Sequence, residues 1–512
     1  MARQGMQIFG QVNMKDGLSK IQAVQAWTAL AAFLFVTATY AEIDADQLPF
    51  VTQHKGTFNG QALEYTATVG STVVKDAGGR PTVRFVTTAY VRKDMDIAAR
   101  PVLFVFNGGP SSASATLHMV GLGPKRIAVT QDPKRPAPDP ARVVDNKQTV
   151  LDVADLVFID PPETGFTRVL PSARREDFYS TLGDAGAVAD FVETWSRDNY
   201  RERSPKFLLG ESYGTLRAAV IAGRFAGTMP LDGVFLFGQT LNTVEATQRA
   251  KNALGYAANL PTLAAIASYH GKVDRKGKTP PAFIDVVYKW GMHEYLDALI
   301  AGRDLPEASR QRIAKQLQAW TGIGANYYLA HDLVITNVEF ARELLKSRGL
   351  ILGTYDARYT GPAPKAGEKA IDPFAKVEAA TIPMLQAYFK NALDVTFSMS
   401  DYRESVPPDA AKDWKYTPTS GTGGPFSDYD YPAALDAAFA ANPKFRLVIG
   451  TGIYDLTTTL GPARYLVAQS HYPADRVFLR QYEGGHMAYT NESALVAFTS
   501  DIRAWITGAP LK

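Results

Sequence analysis

The five residues Gly210-Glu211-Ser212-Tyr213-Gly214 follow directly on the apolar run Phe207-Leu208-Leu209. The order reads as a buried strand, a turn pinched between two glycines, and a helix opening at Tyr213. This is the nucleophile-elbow pattern, in which a sharp strand-to-helix turn presents a serine hydroxyl at the edge of a sheet. A Cβ at either flanking glycine would crowd so tight a turn. The pattern makes Ser212 a candidate nucleophile and requires a strand, a helix and catalytic helpers around it.

The surrounding sequence supplies the strands. Pro101–Phe106, Leu156–Ile159, Phe207–Leu209, Val234–Phe237, Leu447–Ile449 and Val477–Leu479 are short and continuously apolar, as strands covered on both faces require. Helical patterns separate them at Ala185–Tyr200, Tyr213–Phe225, Tyr431–Ala441 and Ala494–Ile506. Such alternation predicts an α/β fold with a mostly parallel sheet flanked by helices. Upstream, Gln53–Val69 and Pro81–Val91 alternate apolar and polar residues around Gly56, Gly60, Gly78 and Gly79, which predicts antiparallel strands joined by turns. Between about Leu241 and Asp430 the strand rhythm stops. Helical stretches at Ala282–Ile300, Ala308–Ala319, Leu333–Leu345 and Ala375–Leu393 predict an α-helical cap inserted in the α/β domain, placed to roof the site. The aromatic stripe in Ala282–Ile300 is read as core packing. The Gly- and Thr-rich stretch Thr417–Pro425 is read as a linker, and Asp132–Pro140 as an exposed loop. The expected division is a signal peptide over residues 1–41, a core over 42–241, the cap with its linker over 242–430, and the rest of the core over 431–512.

At the N-terminus, Lys15 and Lys20 precede the apolar run Trp27–Ala38, and Ala41 stands just before Glu42. This is the layout of a secretory signal peptide, with an uncleaved anchor as the rival reading. The run is shorter than the roughly 20 residues that span a bilayer, and Met14 is a candidate start. The expectation is export to a periplasm or the exterior, with no stable membrane partner after cleavage. There is no cysteine among 512 residues, which excludes disulfides, thiolate catalysis and cysteine-ligated metal. A net charge of +3 gives no electrostatic case for a nucleic-acid partner.

A serine hydroxyl needs a base and a group that orients the base. With an elbow serine the partners follow in the order Asp or Glu, then His. Of seven histidines, His486 lies in Glu483-Gly484-Gly485-His486-Met487, just past the last apolar strand. It is the candidate base. His471 reads as a surface residue at a helix end. His54, His118, His270, His293 and His331 lack glycine punctuation, and no pair has metal-ligand spacing. Asp455 follows the strand Phe445–Gly450 and is the favoured orienting carboxylate, with a helix N-cap as its alternative role. Asp428 and Asp430 precede a helix and are weaker candidates. Asn107-Gly108-Gly109-Pro110 ends the strand Pro101–Phe106. A glycine N–H there, with that of Tyr213, would form an oxyanion hole, although a plain turn uses the same residues.

Taken together these blocks resemble the serine carboxypeptidase family (peptidase S10, α/β-hydrolase fold), in a bacterial form without disulfides. The likeness rests on Asn107-Gly108-Gly109-Pro110-Ser111-Ser112, Asp160-Pro161-Pro162-Glu163-Thr164-Gly165-Phe166, Gly210-Glu211-Ser212-Tyr213-Gly214, and Gly452-Ile453-Tyr454-Asp455 with Gly484-Gly485-His486-Met487. The resemblance implies a Ser212–Asp455–His486 triad, an oxyanion hole of Gly109 and Tyr213, and a substrate-carboxylate site of Asn107 and Glu211. For that last role Glu211 must be protonated, since two carboxylates would repel, so acidic pH should favour activity. It further implies a hydrolase acting on peptides with a free C-terminus, with no metal or other cofactor. Ser111 and Glu163 replace glycines usual in the family, and they are expected to narrow the carboxylate pocket and to charge its surroundings. An esterase or acyltransferase using the same triad is the alternative, and a non-catalytic binding protein is a third reading.

Overall fold

A computed structural model describes residues 44–128, 133, 141–365, 367–406, 412–416 and 430–511. The expected signal peptide, the linker at Thr417–Pro425 and nearly all of the Asp132–Pro140 loop lie outside them.

Nine strands carry the main sheet: β1 (Phe50–Phe58), β2 (Gln61–Lys75), β3 (Pro81–Arg92), β4 (Val102–Phe106), β5 (Asp155–Ile159), β6 (Lys206–Glu211), β7 (Gly233–Phe237), β8 (Arg446–Gly452) and β9 (Val477–Tyr482). Their spatial order is β1-β2-β3-β5-β4-β6-β7-β8-β9, with the short strand Arg168–Val169 paired to β3. β1, β2 and β3 are antiparallel, and β3 meets β5 antiparallel. From β5 to β9 every pairing is parallel.

The continuous apolar runs have the cause anticipated for them. In β4, Val102, Phe104 and Phe106 enter one apolar cluster while Leu103 and Val105 enter another, on the opposite face. The first cluster is completed by helices α1 (Thr181–Asp198), α2 (Gly214–Phe225), α7 (Tyr431–Ala441) and α8 (Leu460–Gln469). The second is closed by α9 (Glu492–Thr507), the π-helical turn Leu117–Leu122 and α6 (Thr381–Ala392). β9 departs from the expectation of two covered faces. It is the edge strand, and Leu479 is exposed.

The insertion is helical in its first part, with α3 (Ala253–Tyr269), α4 (Pro280–Trp290) and α5 (Glu307–Thr321) among its helices. These share an apolar cluster with Ile453, Tyr454, Leu456 and Leu460 of the core, so the cap is seated against the loop that carries Asp455. Two differences from the sequence reading stand out. The insertion also holds a small antiparallel hairpin, Leu350–Leu352 with Thr360–Pro362. Its later part, with Phe374, Leu385, Phe389 and Tyr402, belongs to the core cluster beneath the main sheet. No described helix is long and apolar enough to cross a membrane.

Candidate active site

The site forms where the parallel strands end. β6 runs to Glu211, and Ser212 follows with φ of 56°, a left-handed conformation that a serine rarely adopts. The turn is held from the neighbouring strand, because the Ser212 N–H donates to the Phe237 carbonyl at 2.8 Å. Gly210 is obligatory here: a Cβ on it would stand 2.3 Å from the Gly214 carbonyl oxygen. The geometry is that of an elbow, with Ser212 displayed between β6 and α2.

Asp455 and His486 reach the same rim from β8 and β9. His486 Nδ1 lies 2.8 Å from Asp455 Oδ2, and Asp455 is fully buried. The aspartate is itself fixed: Oδ1 accepts the N–H groups of Thr457 and Thr458 at 2.7 and 3.0 Å, and Oδ2 accepts the Thr458 hydroxyl at 2.5 Å. Asp455 is therefore no helix N-cap, for α8 begins at Leu460 with Thr459 as its capping residue. Asp430, by contrast, does cap a helix, accepting the Ala433 N–H. Burial disfavours a charged imidazole, yet Asp455, with Glu211 and Glu378 behind it, raises the pKa of His486 to about 8. With Nδ1 engaged, Nε2 is the nitrogen left for proton transfer.

Ser212 and His486 line one cavity of about 140 Å³, together with Asn107, Gly109 and Glu211. Among the described residues no hydrogen bond joins the Ser212 hydroxyl to the imidazole, and neither the Gly109 nor the Tyr213 N–H meets an acceptor. Two backbone donors near the serine thus remain available to a ligand oxygen.

Glu211 is the most unusual group of the cavity. It is buried, its Oε1 accepts from Asn107 Nδ2 at 2.7 Å, and its Oε2 accepts from the Tyr489 hydroxyl at 2.5 Å. Burial pushes its carboxyl up to about 7, against the opposing influence of His486 and of the two hydrogen bonds. Asn107 is held in turn, since its Oδ1 accepts the Leu117 N–H at 3.0 Å.

Sequence reasoning missed several residues at this site. Tyr489 and Thr458 lie three positions beyond His486 and Asp455, and only the Asp-x-x-Thr spacing of the second pair carries a local signal, that of an Asx turn. Glu378, Glu404 and Tyr355 also line the cavity and come from the insertion, without any sequence pattern that points to it. Ser111 and Glu163 do not line it. Ser111 is buried with its hydroxyl donating to the Pro110 carbonyl, and Glu163 is buried against Arg403, with its Oε1 accepting the Val169 N–H. The expected narrowing and charging of the pocket by these two residues is corrected: the additional carboxylates there are Glu378 and Glu404. The other histidines lie elsewhere, as with His118, which is stacked on Phe158 and bonded to the Tyr90 hydroxyl. Among the described residues no group of three or more potential ligands could hold a metal.

A mostly parallel sheet in this strand order, flanked by helices, with a serine elbow after β6, is the α/β-hydrolase fold. No protein-family model matches the chain, and no curated protein matches it. Solved structures similar to it include the proline iminopeptidase of Mycobacterium smegmatis, 12% identical over 86% of this chain and 98% of that one, with a TM-score of 0.35. A thermostable carboxyl esterase from Bacillus coagulans is 11% identical over 86% and 97%, with a TM-score of 0.36. A thermophilic esterase from Thermogutta terrifontis is 12% identical over 86% and 97%, with a TM-score of 0.33.

Proposed function

We propose that the chain is a serine hydrolase of the carboxypeptidase type, releasing the last residue of peptides with a free C-terminus. Ser212 is the nucleophile, His486 the base and acid, and Asp455 the group that orients it. His486 Nε2 takes the hydroxyl proton as Oγ attacks the carbonyl of the last peptide bond, and the Gly109 and Tyr213 N–H groups hold the oxyanion. Collapse breaks the C–N bond, and His486 passes its proton to the departing amine. Water, deprotonated by the same imidazole, then hydrolyses the acyl ester. The reading requires the Ser212 hydroxyl to reach Nε2 once substrate is bound, a contact that often forms only in the complex.

One observation carries the carboxypeptidase part: a buried glutamate with its carboxyl raised to about 7 stands beside the serine, paired with Asn107. A protonated carboxyl and a carboxamide can both donate to a carboxylate, which an ordinary ionised glutamate would repel. No metal or organic cofactor has a part in this scheme. The basic-then-apolar leader makes export part of the proposal, and a mature N-terminus at Glu42 would support it.

The test compares free-acid peptides with their C-terminal amides. Ser212→Ala should lower kcat by at least about a thousandfold with folding intact, as loss of the attacking group does. Asn107→Ala should raise KM for free-acid peptides about tenfold or more, the scale of a lost hydrogen bond to a charged group, and leave KM for amides nearly unchanged. Equal losses on both substrates would refute carboxylate recognition. Turnover of simple esters alone would assign the triad to an esterase.

A further inference from the structure

Arg217 has no part in the mechanism above, yet it is wholly buried in α2, within two turns of Ser212. Its partner is Asp184 of α1, also buried, whose Oδ2 accepts from Arg217 Nε at 2.8 Å. Two further bonds leave this pair. Arg217 Nη1 donates to the Asn107 carbonyl at 2.8 Å, and the Tyr213 hydroxyl donates to Asp184 Oδ2 at 3.1 Å. The guanidinium also lies against the rings of Phe106 and Tyr213, 5.1 and 5.3 Å from their centres. Through these contacts the pair joins the end of β4 to the elbow.

Stability alone does not account for such a pair. Taking two charges out of water costs more than their attraction returns unless the geometry is excellent and the remaining polar atoms are bonded. Here one N–H meets one oxygen, and both Asp184 Oδ1 and Arg217 Nη2 are buried without a hydrogen-bond partner among the described residues. Apolar side chains of similar volume would pack α1 on α2 without that cost. They could not donate to a backbone carbonyl. The Asn107 carbonyl lies just past Phe106, where β4 makes its last pairing with β6, so a side-chain donor takes over where the ladder stops.

What this tie holds is the proposed oxyanion hole, whose donors are the Gly109 and Tyr213 N–H groups. The two segments lie backbone to backbone. A Cβ on Gly108 would stand 2.6 Å from the Tyr213 nitrogen, and one on Gly214 would stand 2.9 Å from the Asn107 carbonyl oxygen. Such contact stops the segments from approaching further but does not stop them from separating, whereas the Arg217 bond does. We propose that Arg217 and Asp184 are positioning residues of the oxyanion hole, keeping the Gly109 and Tyr213 N–H groups at the spacing that serves one oxygen. The inference rests on the serine-hydrolase reading and is independent of the carboxypeptidase part. The Asn107 carboxamide is fixed separately, by Glu211 and the Leu117 N–H, so loss of the tie should fall on kcat and spare carboxylate binding.

The experiment uses the full chain with a free-acid peptide and a nitrophenyl ester, and counts active sites by fluorophosphonate labelling of Ser212. Asp184→Leu combined with Arg217→Met replaces the pair by apolar side chains and should keep the melting temperature near that of the wild type. Its kcat per labelled serine should nevertheless fall about ten- to a hundredfold, less than the loss of a whole oxyanion donor, with KM within about twofold. Arg217→Lys leaves Asp184 a counter-ion but lacks the fork that reaches Asp184 and Asn107 together. It should lose about tenfold in kcat, and it decides the question where the double variant does not fold. A peptide aldehyde gives the second readout: Ser212 Oγ adds to its carbonyl carbon, the hydroxyl proton passes to His486, and the former carbonyl oxygen enters the hole. Its affinity should fall by the same factor as kcat, while a reduced-amide analogue, which has no carbonyl oxygen at that position, should bind as before. Wild-type kcat and aldehyde affinity in either folded variant overturn the proposal, as does equal weakening of the aldehyde and the reduced amide. Those outcomes leave the hydrolase standing. A wild-type chain that cleaves neither substrate and takes no label on Ser212 sinks the hydrolase reading, and the positioning role with it.

Discussion

In the proposed hydrolase, a glutamate set immediately before the nucleophile would be a liability if it stayed ionised, and its burial acts against ionisation. Burial raises Glu211 to about 7, while its negative charge is one of the influences that raise His486 to about 8. The two groups are therefore linked. Protonating Glu211 removes charge that helps His486 hold its proton, so the form able to bind a carboxylate is also the form whose imidazole is readier to act as base. Two signs follow. KM for free-acid peptides should rise as pH climbs through about 7, because the neutral carboxyl exists below that value and is lost above it. Glu211→Gln should flatten this rise, since the carboxamide cannot ionise. It should also shift the acid limb of kcat/KM for C-terminal amides, which reports the free enzyme, to lower pH, because His486 loses a neighbouring negative charge and its pKa falls. Profiles of kcat and KM from about pH 5 to about pH 9 check both effects. An acid limb that moved upward would contradict the linkage. At this scale the sequence was informative wherever chemistry is local: Glu211 and Ser212 adjoin in the chain, and glycines mark the His486 loop. It was silent on Tyr489 as a partner of Glu211, because the 278 positions between them leave no mark on either residue's neighbours.

The elements matter through how closely their ends approach. β8 delivers Asp455 and β9 delivers His486, and the two loops touch at Gly452. A Cβ there would stand 1.9 Å from the Gly485 carbonyl oxygen and 2.8 Å from that of Gly484, both backbone atoms that cannot swing aside. Gly452→Ala must therefore part the loops that carry Asp455 and His486. The expected cost is about 1–3 kcal/mol in stability, the range for overpacking, with kcat reduced at least tenfold. Gly227→Ala is the control, since nothing lies within 4 Å of the added carbon. Thermal melts and peptide turnover on the two variants read the contrast. Element type was legible where one physical cause dominated. β4, β6, β7 and β8 carry continuous apolar runs because both of their faces are covered. Element type is obscured where causes mix. β9 is an edge strand, so half of it faces outward. α3 was not anticipated, because it is Ala-rich and buried nearly all round and so has no stripe to detect. The expected helix Ala375–Leu393 is two pieces, Ala375–Glu378 and Thr381–Ala392.

Across the whole molecule, the insertion does more than roof the cavity, because it holds the His486 loop from behind. The Tyr355 carbonyl accepts the His486 N–H at 2.5 Å, its ring meets the imidazole edge-on at 5.2 Å, and Asp356 Oδ2 accepts the Gly485 N–H at 3.1 Å. Arg358 completes the arrangement, pairing with Asp356 through Nη2 at 2.6 Å and donating from Nη1 to the Glu483 carbonyl at 3.2 Å. Glu483, Gly485 and His486 are thus gripped by three residues of one insertion hairpin. None of this was legible, for an Asp-x-Arg turn inside a cap has no feature that names a loop 129 positions away. Asp356→Ala would leave the Arg358 guanidinium buried without its carboxylate, a loss on the order of 3 kcal/mol, and would release the Gly485 N–H. If the insertion positions His486, kcat should fall about ten- to a hundredfold with KM little changed, and Ser212 should react more slowly with a fluorophosphonate. Asp356→Asn keeps an acceptor for Gly485 and should recover much of that rate while recovering less of the stability. A merely structural bond would give the opposite pattern, with melting temperature lowered in both variants and the labelling rate of the folded fraction unchanged. Labelling measured well below the melting temperature of each variant distinguishes the two, because there the unfolded population no longer contributes to the rate.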